Sequence, residues 1–139
     1  MDVVNRGMVD PFTTKDGSTI REILAPRNSR ITRQSLAEAT LPPGCATTPH
    51  AHPIAEEIYY VLAGHGRMTM EGEVRSVGQG DGIAIPPGAV HTLANTGASD
   101  LVFLCCCVPA YTHEDTVLQE ERRAVGQPAE AADRRGTRP

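Results

Sequence analysis

His50 and His52 stand one residue apart in the segment PHAHP, with Pro49 and Pro53 stiffening the chain on both sides. On an extended backbone, residues i and i+2 point the same way, and a rise of ~3.3 Å per residue separates their Cα atoms by about 6.6 Å. Two imidazoles so placed can converge on one cation. The chain then turns through Pro53–Ala55 and resumes as EEIYYVL, so an acid at the start of that run can swing back beside the histidines. Glu56 and Glu57 both qualify. Alternation puts Tyr59 and Val61 on the face of Glu57, and Ile58 and Tyr60 on the face of Glu56, but the pattern does not say which face is inward. A third histidine, His91, follows a second punctuated stretch, GDGIAIPPGAVH.

The elements that must position these groups are short. Seven apolar runs, 18–24, 35–41, 57–64, 66–72, 82–86, 91–96 and 101–108, recur about every ten residues. Several alternate with the period of two of a half-buried strand. The breaks carry turn chemistry: Pro42-Pro43-Gly44, Gly64-His65-Gly66, Gly80-Asp81-Gly82, Pro86-Pro87-Gly88 and Asn95-Thr96-Gly97. This rhythm predicts an all-β sandwich or barrel. The chain divides into an N-terminal arm (1–17), the barrel (18–112), a short helix (113–125) and a polar, disordered tail (126–139).

Two stretches carry a family resemblance. Residues 44–64, GCATTPHAHPIAEEIYYVLAG, resemble the first cupin motif, with Gly44, His50, His52, Glu57 and Gly64 in register. Residues 80–95 are similar to the second, matched by Gly80, Pro86, Gly88, His91 and Asn95. The resemblance implies a double-stranded β-helix, or jelly-roll barrel, with a metal ion on His50, His52, Glu57 and His91. Three imidazoles and one carboxylate suit one divalent transition metal ion, Fe, Mn, Ni, Co or Zn, rather than calcium or soft copper. Tyr59 then falls on the pocket face. Asn95 reads as a turn-holder, and His65 and His113 as ordinary surface residues.

Composition narrows the function. A formal net charge of −4 without a basic cluster argues against nucleic acid as a partner. No stretch approaches the ~20 apolar residues of a membrane span, and MDVVNRGMVDPF lacks the apolar run of a secretory signal, so no membrane partner and a cytoplasmic location are expected. Cys45 and the run Cys105–Cys107 fit neither a disulfide framework nor a C-x-x-C pair, and LVFLCCCV reads as a buried strand with reduced thiols. With no tryptophan and five Phe and Tyr in all, a stacking platform for sugars is poorly provided. The inward face should offer Met68 or Met70, Ile83 or Ile85, Leu93 and strand 101–107 to a modest apolar substrate. The expectation is a homodimeric, metal-dependent enzyme acting on a small molecule that coordinates the metal, with a dioxygenase ahead of a redox-neutral isomerase, lyase or cyclase. A non-catalytic cupin that holds a small acid is the third reading.

Overall fold

The computed structural model describes residues 1–125, so the expected tail, 126–139, lies outside the described residues. Eleven strands follow a 3₁₀ turn at Arg6–Met8: β1 (Phe12–Thr13), β2 (Thr19–Leu24), β3 (Ser35–Leu41), β4 (His50–Ala51), β5 (Glu56–Ala63), β6 (His65–Met70), β7 (Glu73–Gly78), β8 (Gly82–Ile85), β9 (His91–Asn95), β10 (Leu101–Val108) and β11 (Val117–Leu118). They form two antiparallel sheets, ordered β1-β2-β3-β10-β5-β8 and β11-β4-β9-β6-β7, the double-stranded β-helix.

Alternation builds the core. Ser35, Ala37, Ala39 and Leu41 of β3 are buried, as are Glu57, Tyr59 and Val61 of β5, and Leu101, Phe103 and Cys107 of β10. Their inward faces close on Met68, Ile85 and Leu93 from the other strands. Removing such side chains from water is the main drive for closing the two sheets together, at ~25 cal/mol per Å² of apolar surface. Gly64 makes the tight passage from β5 to β6. Its φ is +89°, and a Cβ there would come within 2.6 Å of the Asp100 carbonyl oxygen, so a side chain would be both strained and obstructed.

Three boundaries differ from the sequence expectation. Within residues 1–17, expected as an N-terminal arm, β1 pairs with β2 of the first sheet and Asp16 is buried. The helix expected over 113–125 is confined to α1 (Gln119–Val125), because Val117–Leu118 pair with His50–Ala51 of β4 instead. Strand β7 was not foreseen; its first four residues are exposed, so EVRSVG gives no burial pattern to read.

Candidate metal centre

The site forms where β4 and β9 of one sheet face β5 of the other. His50 and His91 are direct cross-strand partners, with ring centroids 4.3 Å apart. His52 lies just past β4. Asp115 holds the reversal that follows, its two carboxylate oxygens each accepting a backbone N–H at 2.9 Å, from Ile54 and Ala55. That turn returns the chain to β5 with Glu57 inward and Glu56 exposed. Gly88, at φ +79°, donates its N–H to the His52 carbonyl at 2.8 Å and so ties the loop leading to His91 onto the first histidine segment.

The imidazoles are oriented from behind. Nδ1 of His50 lies 2.7 Å from the Thr48 carbonyl, Nδ1 of His91 2.9 Å from the Ala89 carbonyl, and Nδ1 of His52 3.2 Å from the Asp115 carbonyl. A carbonyl accepts only, so each Nδ1 carries a proton and each ring turns its Nε2 inward. One nitrogen from each of the three buried histidines lies within 4.8 Å of the others, a group that can hold a metal ion. Glu57 Oε1 joins them, 3.3 Å from His52 Nε2 and 3.6 Å from His91 Nε2.

These distances fall in ion-pair range, yet the angles do not make hydrogen bonds. His50 Nε2 and Glu57 Oε1 are buried with no hydrogen-bond partner among the described residues. Leaving such atoms unpaired costs about 1–3 kcal/mol each. Acceptors converging without donors fit a cation, and the donor set of imidazole nitrogens and a carboxylate oxygen is one a divalent transition metal accepts.

The electrostatics agree. Burial, with the neighbouring His91, lowers the His50 pKa from 6.5 to about 4, which leaves its ring neutral near pH 7. Burial pulls His52 down as well, but the Glu57 carboxylate beside it more than offsets this and its pKa is raised. Burial alone would raise Glu57; the imidazoles of His52 and His91 instead hold it well below the usual carboxylate range. Tyr59, wholly enclosed, is pushed well above 10 by burial and then by Glu57, so its hydroxyl stays protonated, 3.3 Å from His91 Nε2.

Two residues near the centre were not foreseen. Cys107 was read only as packing, but its thiol donates to Glu57 Oε2 at 2.9 Å, and burial followed by the Glu57 charge raises its pKa so that it remains a neutral donor. That contact leaves Oε1 free to face the imidazoles. Asp16 was assigned to the arm, but its Oδ2 lies 3.2 Å from His50 Nε2. The Asp-Gly pair at 16–17 is a local turn signal not among the breaks read from the sequence, and nothing in the spacing says where such a turn docks.

The other polar residues of the two motifs and the turns lie where local chemistry puts them. Asn95 holds its turn, donating to the Leu41 and Ser99 carbonyls and accepting from Gly97 N–H. His65 and His113 are exposed, away from the centre. The four cysteines are free thiols.

The cavity at the centre is small, about 30 Å³, and its wall includes Thr14, Asp16, Ser18, Tyr59, Cys105 and Tyr111 beside His52 and Glu57. Phe103, Cys105 and Cys107 of β10 line it as expected, with Ile20 and Ala37, whereas the other apolar residues expected there do not. Leu93 and Ile85 are packed core, while Met68, Met70 and Ile83, which also pack on the core, line a separate groove of about 350 Å³ beside β7 and β8 that touches none of the four candidate ligands. The larger groove holds no convergent donor set, so the chemistry is assigned to the smaller cavity.

Comparison with known proteins places the chain. The model of the cupin domain matches residues 37–107, and the protein belongs to that family. It is 48% identical over 112 residues to an uncharacterized protein of Methanocaldococcus jannaschii, covering 81% of this chain and 90% of that one. It also matches a mannose-1-phosphate guanylyltransferase of Salmonella typhimurium, 34% identical over 91 residues, but those residues are 66% of this chain and only 19% of that enzyme. Among solved structures, a predicted oxalate decarboxylase of Thermotoga maritima superposes with a TM-score of 0.69 at 26% identity, covering 78% of this chain and 99% of that one. No helix among the described residues is long and apolar enough to cross a membrane.

Proposed function

We propose that the protein is a metal-dependent enzyme whose divalent transition metal ion is held by His50, His52, Glu57 and His91, and that it acts on a small organic acid or enol that coordinates through oxygen. The observation that carries this reading is the pair of buried acceptors without donors, His50 Nε2 and Glu57 Oε1, within a ring of inward-facing Nε2 atoms. Such an ion supplies Lewis-acid polarisation of a carbonyl or carboxylate and, if it is iron, a place for dioxygen chemistry. The chain's own residues do the rest. Tyr59 keeps a protonated hydroxyl at the cavity wall, the Cys107 thiol holds Glu57 Oε2, and the Thr14–Ser18 loop and Tyr111 form part of the wall.

A cavity of about 30 Å³ has room for one or two water-sized groups, far below the ~300 Å³ at which drug-sized ligand sites begin. It supports a substrate of a few heavy atoms, and the likeness to the Thermotoga maritima structure, whose name points to oxalate, supports an acid. The same small space favours a redox-neutral isomerase, lyase or cyclase reaction over a dioxygenase, which must house substrate and dioxygen together. The dioxygenase reading retains one support, a three-histidine, one-carboxylate set that suits Fe(II). We also assign a homodimer, supported by the exposed apolar residues Ile58 and Tyr60 on the outer face of β5. Sedimentation at the monomer mass would remove that part.

Elemental analysis of protein purified without added metal, followed by oxygen uptake and product assays with small dicarboxylic acids and enols, tests the proposal. One divalent transition metal per chain with substrate turnover and no oxygen uptake is the expected result. Iron with stoichiometric oxygen uptake would transfer the assignment to a dioxygenase. Metal-loaded protein that binds these acids without turning any over would make it a holder of small acids.

A further inference from the structure

Asp16 reaches the centre from outside both cupin motifs, and it is fixed there on three sides. Its Oδ1 accepts from the Thr14 hydroxyl at 2.5 Å, the Ser18 N–H at 2.9 Å and the Ser18 hydroxyl at 2.7 Å. Its main-chain carbonyl accepts the Thr48 N–H at 2.7 Å, and Thr48 in turn holds His50 Nδ1 through its own carbonyl. The loop is thereby keyed to the histidine it faces. With Oδ1 saturated, Oδ2 is turned to His50 Nε2 at 3.2 Å, and none of the hydrogen bonds among the described residues uses it.

An ordinary imidazolium–carboxylate pair does not account for this contact. His50 Nδ1–H is already given to Thr48, and a proton on Nε2 would point away from a good line to Oδ2, since Nε2 makes no hydrogen bond. Two lone-pair atoms face each other across a buried gap. Ligand atoms bound to one ion at about 2.1 Å and at right angles stand about 3.0 Å apart, each off the other's axis. The Asp16–His50 contact at 3.2 Å matches that spacing, as does the Glu57–His52 contact at 3.3 Å.

We infer that Asp16 is a fifth protein ligand, binding through Oδ2 beside His50; this rests on the metal centre proposed above. Two carboxylates neutralise a divalent ion, and five protein ligands leave one position of an octahedron for substrate. The substrate then binds the metal through a single oxygen, which agrees with the size of the cavity. Oxygen donors from two acids also shift the site towards the harder ions, Mn(II) and Fe(II).

The test titrates metal-stripped parent, Asp16→Asn, Asp16→Glu and His50→Ala with Co(II). It reads dissociation constants by chelator competition and coordination from the visible bands, with circular dichroism as the check on folding. Asp16→Asn should bind about 10- to 100-fold more weakly, with bands shifted in position and intensity. Asp16→Glu, which keeps the charge and moves the oxygens, should shift the bands too, and it decides the matter if Asp16→Asn does not fold. Parent-like affinity and bands in the Asp16 variants, while His50→Ala loses Co(II), would overturn the inference and leave the four-residue centre standing. Parent-like binding by His50→Ala as well would overturn the centre itself.

Discussion

Glu57→Gln separates two adjacent acids that composition treats alike. Glu57 is buried between His52, His91 and the Cys107 thiol, whereas Glu56, one residue earlier on β5, is exposed. Glutamine keeps the shape of the side chain but cannot satisfy both of its surroundings. With its oxygen towards the imidazoles, its NH₂ meets the Cys107 S–H donor; with its NH₂ towards the imidazoles, it donates into the Nε2 lone pairs and blocks the cation. Weakening a group that merely supports a metal ligand costs 10- to 100-fold in affinity, about 1.4–2.7 kcal/mol. Loss of an anionic ligand should cost at least that, and Glu56→Gln less than about threefold. Chelator-competition titrations with Zn(II) or Co(II), in one buffer and with matched circular dichroism, measure both. If Glu56→Gln is the damaging change and Glu57→Gln the silent one, the inward face of β5 has been misassigned and the pocket role of Tyr59 falls with it.

Cys107→Val should lower metal affinity up to about tenfold by releasing Glu57 Oε2, and Cys107→Ser should restore it; chelator competition distinguishes the two. Gly64→Ala should destabilise the fold by about 2 kcal/mol or more, because the alanine is forced to positive φ against the Asp100 carbonyl, and urea unfolding reads the loss. Metal-free protein should lose stability as pH falls from 6.5 to 4.5. His50 has a folded pKa of about 4 against 6.5 unfolded, so the unfolded chain binds the extra proton, and the loss reaches about 2–3 kcal/mol. His52, with its pKa raised, works the other way and gains stability as pH falls, but below pH 6.5 that gain is at most about 0.4 kcal/mol and should not reverse the slope; a flat denaturation profile there would show that His50 is not buried as a neutral ring.

Much of this was legible in residue order, for identifiable reasons. Strand β3 alternates between buried and half-buried residues and β10 does so over its first four, and their bounds match the expected 35–41 and 101–108. The histidine spacing and the two motifs singled out His50, His52, Glu57 and His91, and the structure brings the three histidines together with the Glu57 carboxylate beside His52 and His91. The two-residue β4 was hidden because a His-Ala-His segment between prolines has no strand signature, and β7 because exposure removes the pattern. Asp16 and Cys107 escaped for a different reason: their roles depend on which loop docks and which strand lies opposite, and cross-strand partners such as Glu57 and Cys107 are fifty residues apart. The cavity's size was out of reach for the same cause, since the Thr14–Ser18 loop that forms part of its wall belongs to a segment with no periodicity.

The central claim is that a divalent transition metal sits on these four side chains. Crystals of metal-loaded protein, with anomalous difference maps recorded on both sides of that metal's absorption edge, test it most directly. The expected result is one strong peak per chain within about 2.0–2.3 Å of Nε2 of His50, His52 and His91 and of Oε1 of Glu57. A metal-loaded crystal whose anomalous peak lies elsewhere, with these four side chains making only hydrogen bonds to water, would contradict it.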